Sequence, residues 1–130
     1  MGHRRYMMGM LLAVASCGPE AQEEPEAVGR CVYVNGFTQL QECKEYLGSN
    51  WAGAVATDDC AEPVPDTPAG QFEPGVLCDR SAVLAECQVE PGTVEAYTIV
   101  FWDQDGATCD GLELGCFFAQ GTYVGSTICP

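Results

Sequence analysis

Cysteine constrains this chain more than any other residue type. Nine cysteines occur in 130 residues, and an odd number would leave one thiol unpaired in an oxidising compartment. One of them lies in the N-terminal segment, and the other eight follow residue 30. Those eight predict four disulfides, each worth about 2–4 kcal/mol, whose pairing the sequence leaves open. They are Cys31, Cys43, Cys60, Cys78, Cys87, Cys109, Cys116 and Cys129.

A zinc site is the alternative use of these cysteines, and their spacing disfavours it. No two cysteines are separated by only two residues, and the single histidine, His3, lies near the start of the chain. Structural zinc sites usually combine closely spaced cysteine pairs with histidines or with further such pairs. Disulfides are therefore expected, and with them a location outside the cytoplasm.

The N-terminal segment is typical of a secretory signal peptide. A basic head at residues 3–5 precedes an apolar run over residues 7–15, which is shorter than the roughly 20 residues that a membrane span needs. Residues 14–17, VASC, resemble the lipobox of bacterial lipoproteins, in which the cysteine is acylated and becomes the mature N-terminus. Ordinary cleavage that leaves an unmodified cysteine, and a cytosolic chain, are the alternatives.

The lipobox resemblance divides the chain into three parts. It implies a signal peptide over residues 1–16, followed by Cys17 carrying fatty acyl chains such as palmitate. Residues 17–30 are rich in Glu and Pro and predict an acidic disordered tether. Residues 31–130 are expected to form a single disulfide-stapled domain. In such lipoproteins an Asp after the acylated cysteine often retains the protein at the inner membrane, so Gly18 favours the outer membrane of the cell envelope.

Net charge narrows the class of partner. All 19 acidic residues follow Cys17. The fixed positive charges after Cys17 are only Arg30, Lys44 and Arg80. The part of the chain after Cys17 therefore has a net charge of 3 − 19 = −16. Nucleic acids and anionic lipids recruit basic surfaces. The sequence therefore argues against nucleic-acid binding and against attachment to membranes through a basic patch. The lipid anchor is the expected membrane contact, and a protein or glycan partner is left open.

The first half of the domain has the pattern of a hairpin, a helix and a strand. The Asn-Gly pair at residues 35–36 predicts a two-residue turn in a hairpin over residues 32–40. A helix over residues 49–60 follows, begun by a Ser or Asn cap, with Trp51 as a core residue rather than a ligand platform. A strand is expected to begin at Gly70.

Residues 31–78 and 87–129 resemble each other. Trp51 aligns with Trp102 and Gly70 with Gly121, and small gaps also align Cys60 with Cys109. In this alignment Cys43 and Cys116 have no counterparts. The sequence thus predicts a small disulfide-rich α+β domain built from pseudo-duplicated hairpin-helix-strand units. Coincidental placement of Trp, Gly and Cys is the alternative.

The second half contains the strongest predicted strand, residues 93–102. Its two faces are both apolar, which is expected of a strand at the centre of a sheet. Residues 103–109 predict a weaker helix, because a glycine interrupts it. A turn at residues 120–121 predicts a terminal hairpin, which Cys116 and Cys129 bracket and could staple together.

A further resemblance rests on residues 43–51 (CKEYLGSNW), Cys60, residues 70–72, Cys78 and Cys87. These residues are similar to a module of uncharacterised cysteine-rich outer-membrane lipoproteins from Gram-negative bacteria of the myxobacterial kind. The similarity covers about residues 31–123. The chain departs from the module at Asp79, where a proline is usual, and in its additional Cys116 and Cys129. The resemblance implies an envelope location and a similar fold, and it carries no active site.

One group of carboxylates resembles the opening of a calcium loop. Asp103, Asp105 and Asp110 lie around a glycine, an arrangement that can bring carboxylates to a hard cation. The full EF-hand pattern is incomplete, because Ala107 stands at the fifth position and no glutamate at the twelfth. A helix N-terminus capped by Asp103 is the preferred interpretation. No cofactor is predicted.

The remaining chemistry argues against an enzyme. The only histidine leaves with the signal peptide, paired cysteines provide no nucleophile, and a carboxylate-based hydrolase would need two carboxyl groups in a shared cleft. The sequence therefore predicts a lipid-anchored envelope or surface protein with a non-enzymatic binding or structural role.

A secreted inhibitor and a calcium-assisted ligand-binding module are the alternatives to that role. An exposed aromatic patch would favour a binding module. A protruding loop at residues 61–69 or 79–86 would favour an inhibitor.

Overall fold

The computed structural model describes residues 27–130. The predicted signal peptide, Cys17 and most of the predicted tether lie outside the described residues. The end of that tether is wrong by two residues, because Gly29 and Arg30 already belong to the first strand. Arg30 is fixed there by an ion pair with Glu73, at 3.1 Å between nitrogen and oxygen.

Six strands form one antiparallel sheet that carries two α-helices. The elements in chain order are β1 (Gly29–Val34), β2 (Gln41–Tyr46), a short 3₁₀ helix (Ser49–Trp51), α1 (Ala54–Ala61), β3 (Gln71–Pro74), β4 (Val83–Val89), β5 (Tyr97–Trp102), α2 (Cys109–Phe118) and β6 (Thr122–Gly125). The strand order across the sheet is β3-β1-β2-β5-β4-β6. This confirms a small α+β disulfide-rich domain. Neither helix of the described part has the length and apolar character that a membrane span needs.

Two disulfides join the sheet to the helices. Cys31 of β1 bonds to Cys60 of α1, and Cys87 of β4 bonds to Cys116 of α2. The strand register aligns Cys31 with Lys44, Lys44 with Ile99, and Ile99 with Cys87. Directly opposed residues of neighbouring strands point to the same face of a sheet. Both helices are therefore bonded to one face, which we call the helix face.

The other two disulfides tie down loops. Cys43 of β2 points to the opposite face and bonds to Cys78, and Cys109 at the start of α2 bonds to Cys129 near the C-terminus. The predicted staple between Cys116 and Cys129 is therefore wrong. Cys116 instead bonds to Cys87, because it points from α2 into the core beneath the helix, and Cys129 bonds to Cys109.

The loop after β3 covers the face opposite the helices. Arg80 in this loop donates to the buried carboxylate of Glu45 at 2.8 Å and also pairs with Glu86. The Glu45 carboxylate accepts a further hydrogen bond from the backbone N–H of Cys78, at 2.9 Å. This network, with the Cys43–Cys78 disulfide and Val100 beneath it, closes the second face of the sheet.

The first half differs from its prediction in the turn and the helix. The Asn-Gly turn spans residues 35–40 instead of two residues, because the Asn35 side chain accepts hydrogen bonds from the backbone N–H groups of Phe37 and Thr38. The predicted helix over residues 49–60 is divided. Gly53, with φ of 68°, separates the 3₁₀ helix that contains Trp51 from α1. The strand expected at Gly70 begins at Gln71.

The second half corrects three predictions. The strand predicted over residues 93–102 is central, as expected, but begins only at Tyr97. The helix predicted over residues 103–109 does not form, since α2 begins at Cys109 after Thr108, whose side chain caps it. The predicted terminal hairpin is also wrong. The residues before its turn lie in α2, and β6 after the turn pairs with β4.

Gly70 and Gly121 should each be intolerant of a side chain. A Cβ at either position would lie 2.4 Å from Cys31 Sγ or Cys87 Sγ respectively. Gly70→Ala and Gly121→Ala should each lower the free energy of unfolding by about 1–3 kcal/mol, the usual cost of overpacking. Guanidinium chloride unfolding of the oxidised protein measures this.

Gly115→Ala is the matched control. A Cβ there meets nothing within 4 Å, and replacing a glycine inside a helix should stabilise the protein by about 0.8 kcal/mol. Unchanged stability in Gly70→Ala or Gly121→Ala would show that the sulfur atoms do not lie where the structure places them.

Candidate functional site

An apolar cleft of about 590 Å³ lies on the helix face, beside α2. Its floor is formed by Tyr33, Glu42 and Phe101, which oppose one another on β1, β2 and β5, and by Ile99. The turn over residues 35–40 forms part of its wall. The volume lies within the range of about 300–1,000 Å³ that small-molecule and cofactor sites occupy.

The opposite wall of the cleft is a helix surface with little side-chain cover. Gly111 and Gly115 are one turn apart on α2, and Phe118 follows on the same side. Leu112 faces inward and is buried in the core. Because two glycines occupy this side of α2, the helix backbone itself borders the cleft.

Large apolar side chains stand exposed at and beside the rim of the cleft. Phe37 is 78% exposed, Phe118 is 75% exposed, Phe117 is 73% exposed and Leu114 is 54% exposed. Phe117 and Phe118 contact each other, with ring centroids 6.1 Å apart. Clustered exposure of large apolar side chains often marks an interaction site. We call these four residues, three phenylalanines and one leucine, the aromatic rim.

A buried carboxylate lies in the floor of the cleft. Glu42 is only 7% exposed, and both of its carboxylate oxygens accept hydrogen bonds of 3.2 Å from Asn35 Nδ2. Tyr33 lies directly opposite Glu42 on the neighbouring strand β1. Burial raises the pKa of Glu42 above its ordinary value of 4.5, and the hydrogen bonds from Asn35 offset part of that rise.

A second polar cluster fills the neighbouring part of the helix face. Lys44 Nζ lies 2.9 Å from Asp59 Oδ2 and 4.1 Å from the ring centroid of Tyr97. The Tyr46 hydroxyl donates to the same Asp59 oxygen at 2.6 Å, and burial, followed by Asp59, raises the pKa of Tyr46 well above its ordinary value. Trp51 packs against the rings of Tyr46 and Tyr97. These groups satisfy one another and hold α1 against the sheet.

The cysteines and aspartates singled out from the sequence do not form a common site. All eight cysteines after residue 30 are consumed by disulfides. Asp103, Asp105 and Asp110 are all exposed, and Asp103 does not cap a helix, since Thr108 caps α2. Asp110 lies in the first turn of α2. Within residues 27–130 no group of three or more His, Cys, Asp or Glu side chains is placed to hold a metal ion.

The two loops that would favour an inhibitor are packed against the domain. In the first, over residues 61–69, Thr67 is buried and its hydroxyl accepts a hydrogen bond of 3.1 Å from the backbone N–H of Gly36. The second, over residues 79–86, runs into β4 and is fixed by Arg80. Each loop follows a bridged cysteine, Cys60 or Cys78, and each is tied to the domain by these additional hydrogen bonds.

Comparisons with known proteins give no further assignment. No family model matches the chain, and no curated protein and no solved structure matches it.

Two features of the sequence correspond to parts of the cleft that the sequence-based predictions missed. The Gly111-Leu112-Glu113-Leu114-Gly115 spacing marks a bare helix side, provided that residues 109–118 are recognised as helical. Glu42 alternates with Lys44 and Tyr46 along β2, so the three share one face. Nothing in the sequence indicates that this face is buried, because the cover comes from helices bonded to β1 and β4.

Glu42 should make stability depend on pH in a definite direction. Because its pKa is raised on folding, the folded state binds this proton more tightly than the unfolded state does. The contribution to stability is therefore complete at pH values below 4.5 and is lost as the pH rises through the raised pKa. Glu42→Gln should raise the melting temperature at neutral pH, and its advantage should shrink towards acidic pH.

Glu113→Gln removes an exposed carboxylate of α2 and serves as the control. It should not reproduce the pH-dependent gain. If Glu42→Gln and Glu113→Gln shift the melting temperature equally at every pH, Glu42 is not buried as described.

Proposed function

We propose that this protein is a non-enzymatic binding module of the cell envelope, anchored by lipid on Cys17, whose cleft on the helix face receives an apolar ligand. The observation that carries the proposal is the pairing of the 590 Å³ cleft with the exposed aromatic rim. Leaving several large apolar side chains in water forgoes about 1.5–3 kcal/mol for each one that a partner could bury completely. A surface of this kind is explained by an occupant.

A binding role fits the cleft better than a hydrolytic one does. Among the residues that line it, only Tyr33 and Glu42 titrate. Hydrolysis by carboxylates uses a general acid and a second carboxylate facing the scissile bond. A single carboxylate held by the Asn35 amide is suited to recognition, because it can accept hydrogen bonds without an acid partner.

The proposed anchor rests on the N-terminal sequence. A basic head, a short apolar run and a small residue before Cys17 resemble a lipobox, and one acylated cysteine removes the odd thiol. The similarity to cysteine-rich lipoproteins of the myxobacterial kind supports the same location, and Gly18 favours the outer membrane. The four disulfides are compatible with a site outside the cytoplasm.

We further propose that the domain is an internal duplication of β-β-α-β units. The bridges Cys31–Cys60 and Cys87–Cys116 both join the first strand of a unit to its helix, and both have a sequence separation of 29. The strand order is symmetric about the β2–β5 pair. If the two units are superimposed by these bridges, Cys60 corresponds to Cys116, whereas the sequence alignment matched it with Cys109. The two units differ in two respects. Only the first unit contains a lysine, Lys44, that pairs with an aspartate of its helix, Asp59. Only the second unit borders the cleft with its helix.

Filling the cleft from within should abolish ligand binding. Gly115→Leu places a side chain where a Cβ meets no atom within 4 Å, and its isobutyl group would occupy the cleft. The neutral apolar dye N-phenyl-1-naphthylamine should fluoresce when it binds the native protein. Its affinity should fall by about tenfold or more in the variant, the equivalent of about 1.4 kcal/mol.

Glu113→Leu is the matched control, since it adds the same side chain at an exposed position of the same helix outside the cleft lining. Its dye affinity should stay within about twofold of the native value. Equal binding by native protein and Gly115→Leu would contradict a ligand site in this cleft.

The anchor predicts a specific mass. Protein purified from membranes of cells that express the full chain should begin at Cys17 and carry the mass of its acyl chains. Intact-mass spectrometry measures both. A chain that begins at Met1, or one that begins at an unmodified Cys17, would contradict lipid anchoring.

A further inference from the structure

The carboxylate in the cleft floor has no cation of its own. The three fixed cations of residues 27–130 are all paired elsewhere. Arg30 pairs with Glu73 at 3.1 Å, Lys44 with Asp59 at 2.9 Å, and Arg80 with Glu45 at 2.8 Å. Glu42 and Lys44 are two residues apart on β2 and point to the same face of the sheet. Within residues 27–130, however, no ion pair joins them, because Lys44 pairs with Asp59.

The hydrogen bonds to Glu42 leave it able to accept more. Asn35 Nδ2 lies 3.2 Å from each carboxylate oxygen, and Tyr33 lies opposite Glu42 on β1. An ionised carboxylate has about four lone-pair sites. Glu42 is also among the residues that line the cleft, so the remaining capacity is available to a ligand. Burying a carboxylate without a cation is costly, and a ligand that brings one would relieve that cost.

The apolar surface extends beyond the cleft. A small molecule could fill the cleft itself but would leave Leu114 and Phe117, which do not line it, in water. The bare backbone at Gly111 and Gly115 allows another chain to approach α2 closely, as small residues do where helices pack. A helix that lies along α2 would cover Leu114, Phe117 and Phe118 together.

We propose that the cleft binds an amphipathic helical segment of another protein, and that one Lys or Arg of that segment pairs with Glu42 inside the apolar floor. This deepens the proposed function and rests on it. A second copy of this chain is a poor occupant, because its strong negative charge opposes association and its described cations are already paired. The partner is instead basic where it enters the cleft and apolar around that point.

Three synthetic helical peptides of about 16 residues, which is longer than the 10-residue α2, test this directly. Each has the same apolar face of Leu and Phe, with a central residue that is Lys, Met or Glu. Binding to the oxidised full-length protein is measured by fluorescence anisotropy at about pH 8, where free Glu is ionised, and at moderate salt to screen exposed charges. The Lys peptide should bind about tenfold more tightly than the Met peptide, as a charge-assisted hydrogen bond predicts. The Glu peptide should bind more weakly than the Met peptide.

Two variants assign that preference to Glu42. In Glu42→Gln the Lys and Met peptides should bind within about twofold of each other, whereas in Glu113→Gln the tenfold preference should persist. A preference that survives Glu42→Gln, or one that is lost equally in both variants, would overturn the proposal, since it would then reflect the general acidity of the protein. Equal binding of the Lys and Met peptides to the native protein would also overturn it.

A small amine is tested in the same assay. If octylammonium binds with the same dependence on Glu42 while the Lys peptide does not, the occupant is a small amine and the helical-segment proposal fails. The neutral dye separates this failure from that of the proposed function. Dye binding that is blocked by Gly115→Leu would leave the cleft as a ligand site even if no peptide prefers a central Lys.

Discussion

The sulfur bridges from β1 to α1 and from β4 to α2 are the interactions on which the rest of this structure depends. Each helix buries little else. α1 buries only Ala56 and Cys60, and α2 buries only Leu112 and Cys116. Burying an alanine methyl stabilises by about 1 kcal/mol and burying a leucine side chain by about 1.5–3 kcal/mol, whereas a disulfide contributes about 2–4 kcal/mol. The bridges therefore contribute at least as much as apolar packing to where the helices lie. A glycine beside each bridge provides the space that the sulfurs need.

Placing both helices on one face leaves the region between them over β2 and β5 to be filled by side chains alone. At one end it is filled, because Lys44 reaches Asp59 and packs against the rings of Tyr97 and Trp51. At the other end, Glu42 has no such cation and the helix wall consists partly of glycine. The region between the helices thus contains a closed cluster at one end, in which Lys44 pairs with Asp59, and an open cleft at the other. The difference lies in whether the β2 side chain finds its counter-charge within the domain, and this is why we place the partner at Glu42.

The sequence predicted the fold class and the use of cysteine, and it missed the positions that depend on distant contacts. The central strand was recognised because both faces of residues 97–102 are apolar. The helix α2 was not, since its pattern is interrupted by two glycines and ends in Phe117 and Phe118, which suggested a hairpin. Those two phenylalanines are exposed in a helix only because the Cys87–Cys116 bridge directs the opposite side of α2 to the sheet. Glu42 was overlooked for a related reason, because burial of its strand face follows from cover that residues far along the chain provide.

The positions of both helices depend on how the sulfurs are paired, and peptide mapping by mass spectrometry of the non-reduced, alkylated protein reports that pairing. The protein should be isolated from membranes without reductant and digested at acidic pH, where disulfide exchange is slow because thiolates are scarce. The structure predicts four cross-linked peptide pairs, Cys31–Cys60, Cys43–Cys78, Cys87–Cys116 and Cys109–Cys129, and no alkylated thiol among these eight residues. A bridge from Cys60 or Cys116 to any other partner, or free thiols at these positions, would contradict it, because the helices would then no longer be held beside the cleft.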